Sequence, residues 1–320
     1  MRRAVTVPAR RGAAGRRARL ALAALALVGC AVSTVSEPEE IGLARPSIVI
    51  RPGADITASA RMVADRARTA EIVYLGELHD NPLHHAIQAR VLEALTLAGA
   101  RPAIAFEMIP ETRQAVLDGA IRSLTSPVEV DRQLGWAAQG WPDFMMYWPM
   151  MDLARRHGLP VVATDLDPAV TRRISRDGIG AAGEDPARLR SALPDDPARD
   201  EEIARRIRTA HCDRITEGRT LRMVEAWYAR NVVIARRLVE ALKVAPQVVV
   251  IIGRGHQSPG GVPEQVEALR RGTRQLVVAL ADGEPGIPPE MTADIVWLTP
   301  ARPLPDPCLS LPQRLGRVRP

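Results

Sequence analysis

Aromatic residues are scarce in this chain, which has two Phe, five Trp and three Tyr among 320 residues. Half of these ten rings fall between Trp136 and Trp148, and four of the nine methionines lie beside them, at positions 145, 146, 150 and 151. With 46% apolar and 25% charged residues, the composition is that of a globular chain that buries roughly three quarters of its unfolded surface. It excludes collagen and disorder throughout, and three cysteines are too few for a disulfide miniprotein.

Acidic residues are absent from the first 36 positions, which contain seven arginines. The formal net charge of +6 for the whole chain resembles that of a nucleic-acid-binding protein. Removing these seven arginines from the 43 basic residues leaves 36, against 37 acidic residues. The basic character therefore belongs to the leader, and we expect no nucleic-acid partner.

The leader also lacks an apolar run long enough to span a bilayer. Its run, Leu20–Gly29, has ten residues, whereas a membrane helix needs about 20. An arginine-rich start followed by such a run predicts a secretory signal peptide over residues 1–29. The residues before Cys30 (Leu27-Val28-Gly29) resemble a bacterial lipobox, which predicts a lipid anchor on Cys30 and a spacer over 30–46. An ordinary signal peptide with a chance cysteine is the alternative.

The residue after Cys30 is Ala31 rather than Asp, so we expect the outer membrane, with the protein facing the periplasm. Two further cysteines, Cys212 and Cys308, remain for the folded part. In an oxidising envelope they could form a disulfide, and a buried thiol is the alternative; two cysteines at this spacing make no metal signature.

Short β-branched runs alternate with longer helical patterns over residues 47–300, which predicts an α/β domain with a mostly parallel sheet, crossover helices and a small helical subdomain. The predicted strands are Ser47–Arg51, Glu71–Leu75, Ala103–Phe106, Pro160–Thr164, Gln247–Ile252, Gln275–Leu280 and Asp294–Leu298. The predicted helices include Leu83–Leu97, Asp143–His157, Pro197–Glu217 and Leu221–Val244. Residues 111–151 and 168–244 do not alternate simply and are predicted to be helical insertions, and residues 301–320 form a tail.

Polar side chains gather where several predicted strands end. Glu77 and His79 follow one strand, Glu107 follows the next, and His256 follows Gly253-Arg-Gly. Ligands of open parallel sheets bind outside the carboxyl ends of the strands, so these groups are expected to share one crevice. Two imidazoles and two carboxylates could hold a divalent metal or act as general acid and base. A hydrogen-bonded network that only fixes the turns is the alternative.

The second constellation is the Met-aromatic segment, Trp141–Asp152. Its residues Phe144, Tyr147 or Trp148, and Met151 recur at helical spacing, and Pro149 predicts a kink in the helix Asp143–His157. Such a stripe often packs in a core. In a chain so poor in rings, we interpret it as a flat face for a large planar apolar ligand or a second subunit. Arg155 follows closely and could meet anionic groups of that ligand, and His85, at the start of its helix, could reach the crevice mouth.

These motifs, in order, resemble the ChaN-like haem-binding lipoproteins. The matching residues are Gly76-Glu-Leu-His79 with Asp80, His84 and Gln88; Phe106-Glu107-Met108; Trp141 to Pro149; Asp165; Arg230-Asn231; and Gly253-Arg-Gly-His256 with Gly261-Val-Pro263. The family is similar in its sheet to the erythromycin esterases and to the Tiki and TraB group, in which paired Gly-x-x-His motifs and a Glu are tied to metal-dependent hydrolysis.

The resemblance implies an α/β body and a homodimer enclosing two haems, each iron bound by a tyrosine, here Tyr147. A phenolate ligand favours ferric iron, which suits haem transport or storage. Phe144, Trp148, Met151, His85 and Arg155 are the other residues expected to contact haem. The leading hypothesis is therefore an envelope lipoprotein for haem and iron acquisition, with an outer-membrane haem receptor as a possible partner. The alternatives are a metal-dependent hydrolase that uses Glu77, His79, Glu107 and His256, with His79 and His256 holding a divalent metal, and a scaffold in which both clusters are structural.

Overall fold

The computed structural model of the protein describes residues 48–123, 126–283, 293–303 and 307–310. The predicted signal peptide (1–29), Cys30, the spacer (30–46) and most of the C-terminal tail lie outside these residues. Within the described ranges, none of the helices combines the length and apolar character required to cross a membrane.

The described residues contain one parallel sheet of seven strands. The strands are β1 (Ile48–Ile50), β2 (Ile72–Glu77), β3 (Ala103–Pro110), β4 (Val161–Asp165), β5 (Val248–Gly253), β6 (Gln275–Asp282) and β7 (Ile295–Thr299), in the order β1-β7-β6-β2-β5-β3-β4. Every residue of β2, β3 and β5 is buried, as expected for central parallel strands covered on both faces. The predicted α/β class and parallel sheet are confirmed.

Helices connect the strands and cover both faces of the sheet. They are α1 (Ile56–Ala67), α2 (Pro82–Leu97), α3 (Gln114–Arg122), α4 (Pro127–Leu134), α5 (Trp148–His157), α6 (Pro168–Asp177), α7 (Pro186–Leu189), α8 (Pro197–Ala210), α9 (Glu217–Ala241), α10 (Val262–Leu269) and α11 (Pro307–Ser310). Short 3-10 helices lie at Glu111–Arg113, Ala137–Gln139, Phe144–Met146, Ile179–Ala181 and Arg254–Gln257. Residues 111–151 and 168–244 were predicted to be helical insertions. Helices α3 to α5 and α6 to α9 lie in these two stretches.

Two apolar cores lie on opposite faces of the sheet because alternate strand residues point to opposite sides. On one face, Val73 and Leu75 of β2 join a core formed with α1 to α5. On the other, Ile72 and Tyr74 of β2 pack against α9 and α10. Because all strands are parallel, the ends of β2, β3, β4 and β5 meet at one edge, called here the carboxyl edge.

Two predicted helices are interrupted. The helix predicted over Asp143–His157 consists of the 3-10 turn Phe144–Met146 followed by α5 from Trp148. Pro149 lies in the first turn of α5. Backbone N–H groups in the first turn of a helix make no hydrogen bond within the helix, so proline is tolerated there and the predicted kink was wrong.

The predicted helix Pro197–Glu217 ends at Ala210. Cys212 and Asp213 follow with φ of 55° and 53°, a left-handed conformation that stops a helix. Cys212 forms a disulfide with Cys308 of α11, which settles the pairing that the sequence left open.

Candidate functional site

The end of β2 places two ionisable groups at the carboxyl edge. Glu77 is the last residue of β2 and is buried, and its Oε1 lies 2.9 Å from His79 Nδ1. Asn81 caps α2 by accepting from the backbone N–H of Leu83, and the N–H of Leu78 donates to His84 Nδ1. These contacts fix the turn that carries His79, whose side chain is 31% exposed.

The end of β3 places Glu107 beside groups from β5 and α9. Its Oε1 lies 3.1 Å from His256 Nε2 and accepts from Arg230 at 2.8 Å, and its Oε2 accepts from the backbone N–H of Gly253 at 2.6 Å. Arg230 also makes a bidentate pair with Asp165, at the end of β4, with N–O distances of 2.8 and 2.9 Å. His79 Nε2 lies 3.9 Å from Glu107 Oε2.

The structure therefore brings together all four predicted residues, Glu77, His79, Glu107 and His256, in what we call the carboxyl-edge site. Gly253 permits this approach: a Cβ there would lie 2.7 Å from His79 Nε2 and 3.3 Å from Glu107 Oε2. The site is formed by segments up to 179 residues apart, as the convergence of parallel strand ends requires.

The charges of this site stabilise one another. Burial alone raises the pKa of Glu107, but the charges of His256, His79 and Arg230 hold it well below its usual range. Burial also opposes ionisation of Glu77, and contacts with His79 and His85 hold the Glu77 pKa below its usual value. The same ion pairs overcome burial and raise the pKa of His79. The site thus keeps two carboxylates ionised and favours the protonated form of His79.

Tyr147 joins this site from the Met-aromatic segment. Its hydroxyl donates to Glu77 Oε1 at 2.8 Å, and its ring packs on His85 and Trp136, with centroids 4.3 and 4.6 Å apart. Burial, Glu77 and Glu107 together raise the pKa of the phenol, so it is neutral near pH 7. The Met-aromatic segment and the carboxyl-edge residues, which the sequence analysis treated as two separate constellations, therefore belong to one site.

The Met-aromatic segment is not the exposed flat face that its composition suggested. Phe144, Tyr147 and Met151 are buried in the core that includes α1 to α5, so core packing explains most of the stripe. Met145 is 49% exposed, and Trp141 and Trp148 are partly exposed. Trp141 lies against His79 with ring centroids 5.0 Å apart, so it covers the outer side of the carboxyl-edge site.

His85, expected to reach the crevice mouth, and Arg155, expected to meet anionic groups of a ligand, both contact other residues of the protein. His85 is buried; its Nε2 lies 3.0 Å from the carbonyl oxygen of His79, and its Nδ1 lies 3.1 Å from Gln88 Oε1. His85 therefore packs beneath the turn that carries His79, on the buried side, and hydrogen-bonds to its backbone. Arg155 donates to Asp152 at 2.7 Å, an i, i+3 pair on α5. Contact of either residue with a ligand is still a prediction.

The role of helix α9 was missed by the sequence reasoning, although Arg230 and Asn231 were noted. Asn231 Oδ1 lies 2.9 Å from His256 Nδ1, which orients the imidazole toward Glu107. Trp227 stacks parallel to His256 with centroids 6.5 Å apart. Trp227, Arg230 and Asn231 are spaced i, i+3, i+4, which puts them on one helix face, and this spacing was the available signal.

The four residues of the carboxyl-edge site are paired with one another rather than arranged around a vacant point. Among the described residues, no group of three or more His, Cys, Asp or Glu side chains has the geometry to hold a metal ion. What this arrangement offers chemically is proton transfer between carboxylates, imidazoles and a phenol.

Solved structures with a similar fold were found. ChaN of Campylobacter jejuni, whose structure is described as showing cofacial haem binding, matches with a TM-score of 0.58 and 17% identity over 76% of this chain and 97% of that chain. The type III effector HopBA1 matches with a TM-score of 0.45 and 15% identity over 80% of this chain and 99% of that chain. A mutant of the erythromycin esterase EreC matches with a TM-score of 0.42 and 12% identity over 72% of this chain and 76% of that chain. No curated protein matches the sequence.

Residues 63–266 match the family described as haem-binding uptake, Tiki superfamily, ChaN. The match covers well over half of the chain and includes the Gly-x-x-His turns, Glu107, the Met-aromatic segment and Arg230. The relationship predicted from the motifs is confirmed: this chain belongs to the ChaN family of haem-binding uptake proteins in the Tiki superfamily.

Proposed function

We propose that this protein is an envelope lipoprotein that binds ferric haem through the phenolate of Tyr147, as a homodimer, and serves haem and iron acquisition. The observation that carries the proposal is the family match over residues 63–266, which spans Tyr147 and its aromatic neighbours. The likeness to ChaN of Campylobacter jejuni, described with cofacial haem, supports the same ligand.

The residues around Tyr147 fit a phenolate ligand in their chemistry. Glu77 Oε1 accepts the phenolic hydrogen bond, and Glu77 Oε2 is buried without a well-aligned hydrogen bond, although His85 Nδ1 lies 3.0 Å away. The ionised Glu77 can accept the proton that the phenol must lose and pass it to His79 or His85, whose pKa values are raised by Glu77. When bound, haem supplies a Lewis-acidic ferric iron that favours an anionic oxygen ligand.

Access to Tyr147 is the geometric requirement of this proposal. The phenol is fully buried, with Trp136 and His85 against its ring. We infer that the 3-10 turn Phe144–Met146 and the partly exposed Trp141 shift to admit the ligand. The exposed Met145 and the partly exposed Trp148 then contact the porphyrin or the second subunit.

The location in the cell is proposed from the leader alone. An arginine-rich start, a ten-residue apolar run and the lipobox-like Leu27–Cys30 support export, lipidation of Cys30 and residence in the outer membrane facing the periplasm. A haem receptor in that membrane is the partner that this location would provide.

Replacing Tyr147 with Phe is expected to weaken ferric haem binding by at least roughly tenfold to a hundredfold, because the loss of even a residue that supports a metal ligand typically costs that much. Absorption titration of the purified protein measures the Soret band and the phenolate-to-iron charge-transfer band, and light scattering with and without haem measures dimer formation. Because Phe keeps the buried ring, the fold should persist.

The matched control is Tyr74→Phe. It removes another buried tyrosine hydroxyl, which donates to Gln275 Oε1 on the opposite face of the sheet from Tyr147. This variant should bind haem as the wild type does. Unchanged affinity and spectrum in Tyr147→Phe would remove Tyr147 as the ligand.

A hydrolase is the second candidate because Glu77, His79, Glu107 and His256 converge beside the only partly exposed member, His79. These pairs suit general acid and base catalysis. His79 and His256, the predicted ligands of a divalent metal, each lie within 3.1 Å of a carboxylate oxygen.

If the site is hydrolytic, chromogenic ester turnover by purified protein should fall about a hundredfold or more in His79→Asn, the usual contribution of a positioned acid or base. His157→Asn, at the exposed end of α5, should leave turnover unchanged. Equal rates in wild type and His79→Asn would exclude this candidate.

A further inference from the structure

The edge of the sheet opposite the carboxyl-edge site has an exposed surface that the proposed function does not use. Strand β1 is parallel to all the others, so the chain enters the described fold at the amino ends of the strands. The connections that lead into β2, β3, β5 and β6 also lie at this edge. They carry the residues that we call the amino-edge surface: Arg68, Leu97, Lys243, Val244 and Arg271.

Two of these residues are apolar and strongly exposed. Leu97, the last residue of α2, is 79% exposed, and Val244, between α9 and β5, is 73% exposed. Scattered exposed apolar residues need no explanation by themselves. Here, however, both lie at the same edge, one on each side of the sheet, and the connections at that edge also carry the exposed Arg68, Lys243 and Arg271. Apolar and cationic residues together are the composition of surfaces that rest on a membrane interface.

The charge of this edge is positive. Arg68, Lys243 and Arg271 are exposed, and the nearby Glu71 is already paired with Arg270 at 2.8 Å and Arg274 at 3.3 Å. Cations are favoured there because α1, α2, α9 and α10 end at this edge. The helix ends account for the cations but not for the exposure of Leu97 and Val244.

The same edge also contains a concave recess. A cavity of about 760 Å³ opens among Arg68, Leu95, Arg101, Pro246 and Arg274. Its walls combine alkyl surface with guanidinium groups, and a guanidinium pairs well with phosphate oxygens. A phospholipid headgroup with the upper part of its acyl chains has this combination of charge and apolar surface.

The position of the chain entry identifies the occupant. Ile48 lies 18 residues after Cys30, so a lipid on Cys30 would tether the fold by its amino edge with a reach of about 60 Å at full extension. Such a tether keeps this edge near the bilayer but does not fix the orientation of the fold. A contact between the amino-edge surface and the bilayer would fix that orientation. We propose that the amino-edge surface docks on anionic phospholipid, which points the carboxyl-edge site away from the membrane. This inference rests on the proposed lipid anchor and not on haem binding.

The test uses the mature lipidated chain in vesicles of phosphatidylethanolamine and phosphatidylglycerol. An environment-sensitive fluorophore is attached at Leu97→Cys or Val244→Cys, with Leu221→Cys and Val128→Cys as controls; Leu221 and Val128 are exposed apolar residues of α9 and α4. We expect a blue shift at positions 97 and 244, quenched by brominated lipid, and no shift at 221 or 128.

Charge dependence gives the second measurement. In Arg68→Gln/Arg271→Gln the shift at position 97 should fall, because each cation near an anionic surface contributes about 1 kcal/mol, or roughly fivefold in population. The charge-matched control is Arg113→Gln/Arg219→Gln, which removes two exposed arginines from the opposite edge. It should leave the shift unchanged.

Several outcomes would overturn the proposal. These are no shift at 97 and 244, an equal shift at 221, or an equal shift in phosphatidylcholine vesicles, which would show that the surface does not select anionic lipid. A shift that brominated lipid does not quench would also overturn it, and would indicate that a second copy of the chain covers this surface. Mass spectrometry of the same sample detects diacylglycerol on Cys30 independently. Loss of the anchor, loss of haem binding and loss of docking are therefore separate results.

Discussion

Replacing Arg230 with Met is expected to lower the free energy of unfolding by about 3 to 5 kcal/mol at pH 7, the usual cost of removing one partner from a buried ion pair. Arg230 is the shared partner of Glu107 and Asp165, both buried carboxylates. In the variant, Glu107 would keep His256 and the N–H of Gly253, whereas Asp165 would keep only the backbone N–H of Leu166. Guanidinium or thermal unfolding measures the difference.

The pH dependence of this loss has a definite sign. Burial already raises the pKa of Asp165 despite Arg230, and removing the arginine raises it further. A carboxyl whose folded-state pKa exceeds its unfolded-state pKa binds more protons when folded, so stability falls as pH rises through that range. The cost of Arg230→Met should therefore be smaller near pH 4 than near pH 7.

Arg236→Met is the matched control on the same helix. Arg236 is exposed, and its guanidinium lies 3.5 Å from the carbonyl oxygen of Ala187, a weak contact, so the change should stay within about 0.5 kcal/mol. An Arg230→Met variant as stable as this control, or equally destabilised at pH 4 and pH 7, would contradict the role given to the ion pairs.

Much of the sheet could be predicted from the sequence, because strands buried on both faces are continuous β-branched runs. All seven predicted strands are present, with ends shifted by a few residues: β3 continues to Pro110 rather than ending at Phe106. The convergence of Glu77, Glu107 and His256 also followed from the sequence, since parallel strands end at the same edge. What the pattern lacked was the pairing partner on α9: Arg230 lies 123 residues from Glu107, and no local spacing links the two.

The environment of Tyr147 could not be predicted for a different reason. Rings at helical spacing identify one side of a segment, but an apolar side that is buried and one that is exposed have the same sequence pattern. The hydrogen bond from Tyr147 to Glu77 spans 70 residues and depends on how the Met-aromatic segment packs against α2. The resemblance predicted Tyr147 as the haem ligand, whereas the burial of its phenol against a carboxylate is seen only in the structure.

Reduction of the Cys212–Cys308 disulfide is expected to lower the free energy of unfolding by about 4 to 5 kcal/mol. The two cysteines are 96 residues apart, and a crosslink that closes a loop of about 100 residues restricts the unfolded chain by roughly that amount. The comparison is between oxidised protein and protein in a strong reductant, by guanidinium unfolding monitored by tryptophan fluorescence. The variant Cys212→Ser/Cys308→Ser should match the reduced wild type and should not respond to reductant.

The C-terminal segment is also held by contacts of Arg302, which do not depend on the disulfide. They allow a local effect of reduction to be distinguished from a loss of overall stability. Arg302 donates to Asp282 at 2.8 Å and to the carbonyl oxygen of Asp80 at 2.9 Å, just beyond the turn that carries His79. Residues up to 303 should therefore keep their place after reduction, and the pKa of His79 measured by NMR should not change. A loss below about 1 kcal/mol would mean that the unfolded chain is already constrained, and a changed His79 pKa would mean that the disulfide also positions the carboxyl-edge site.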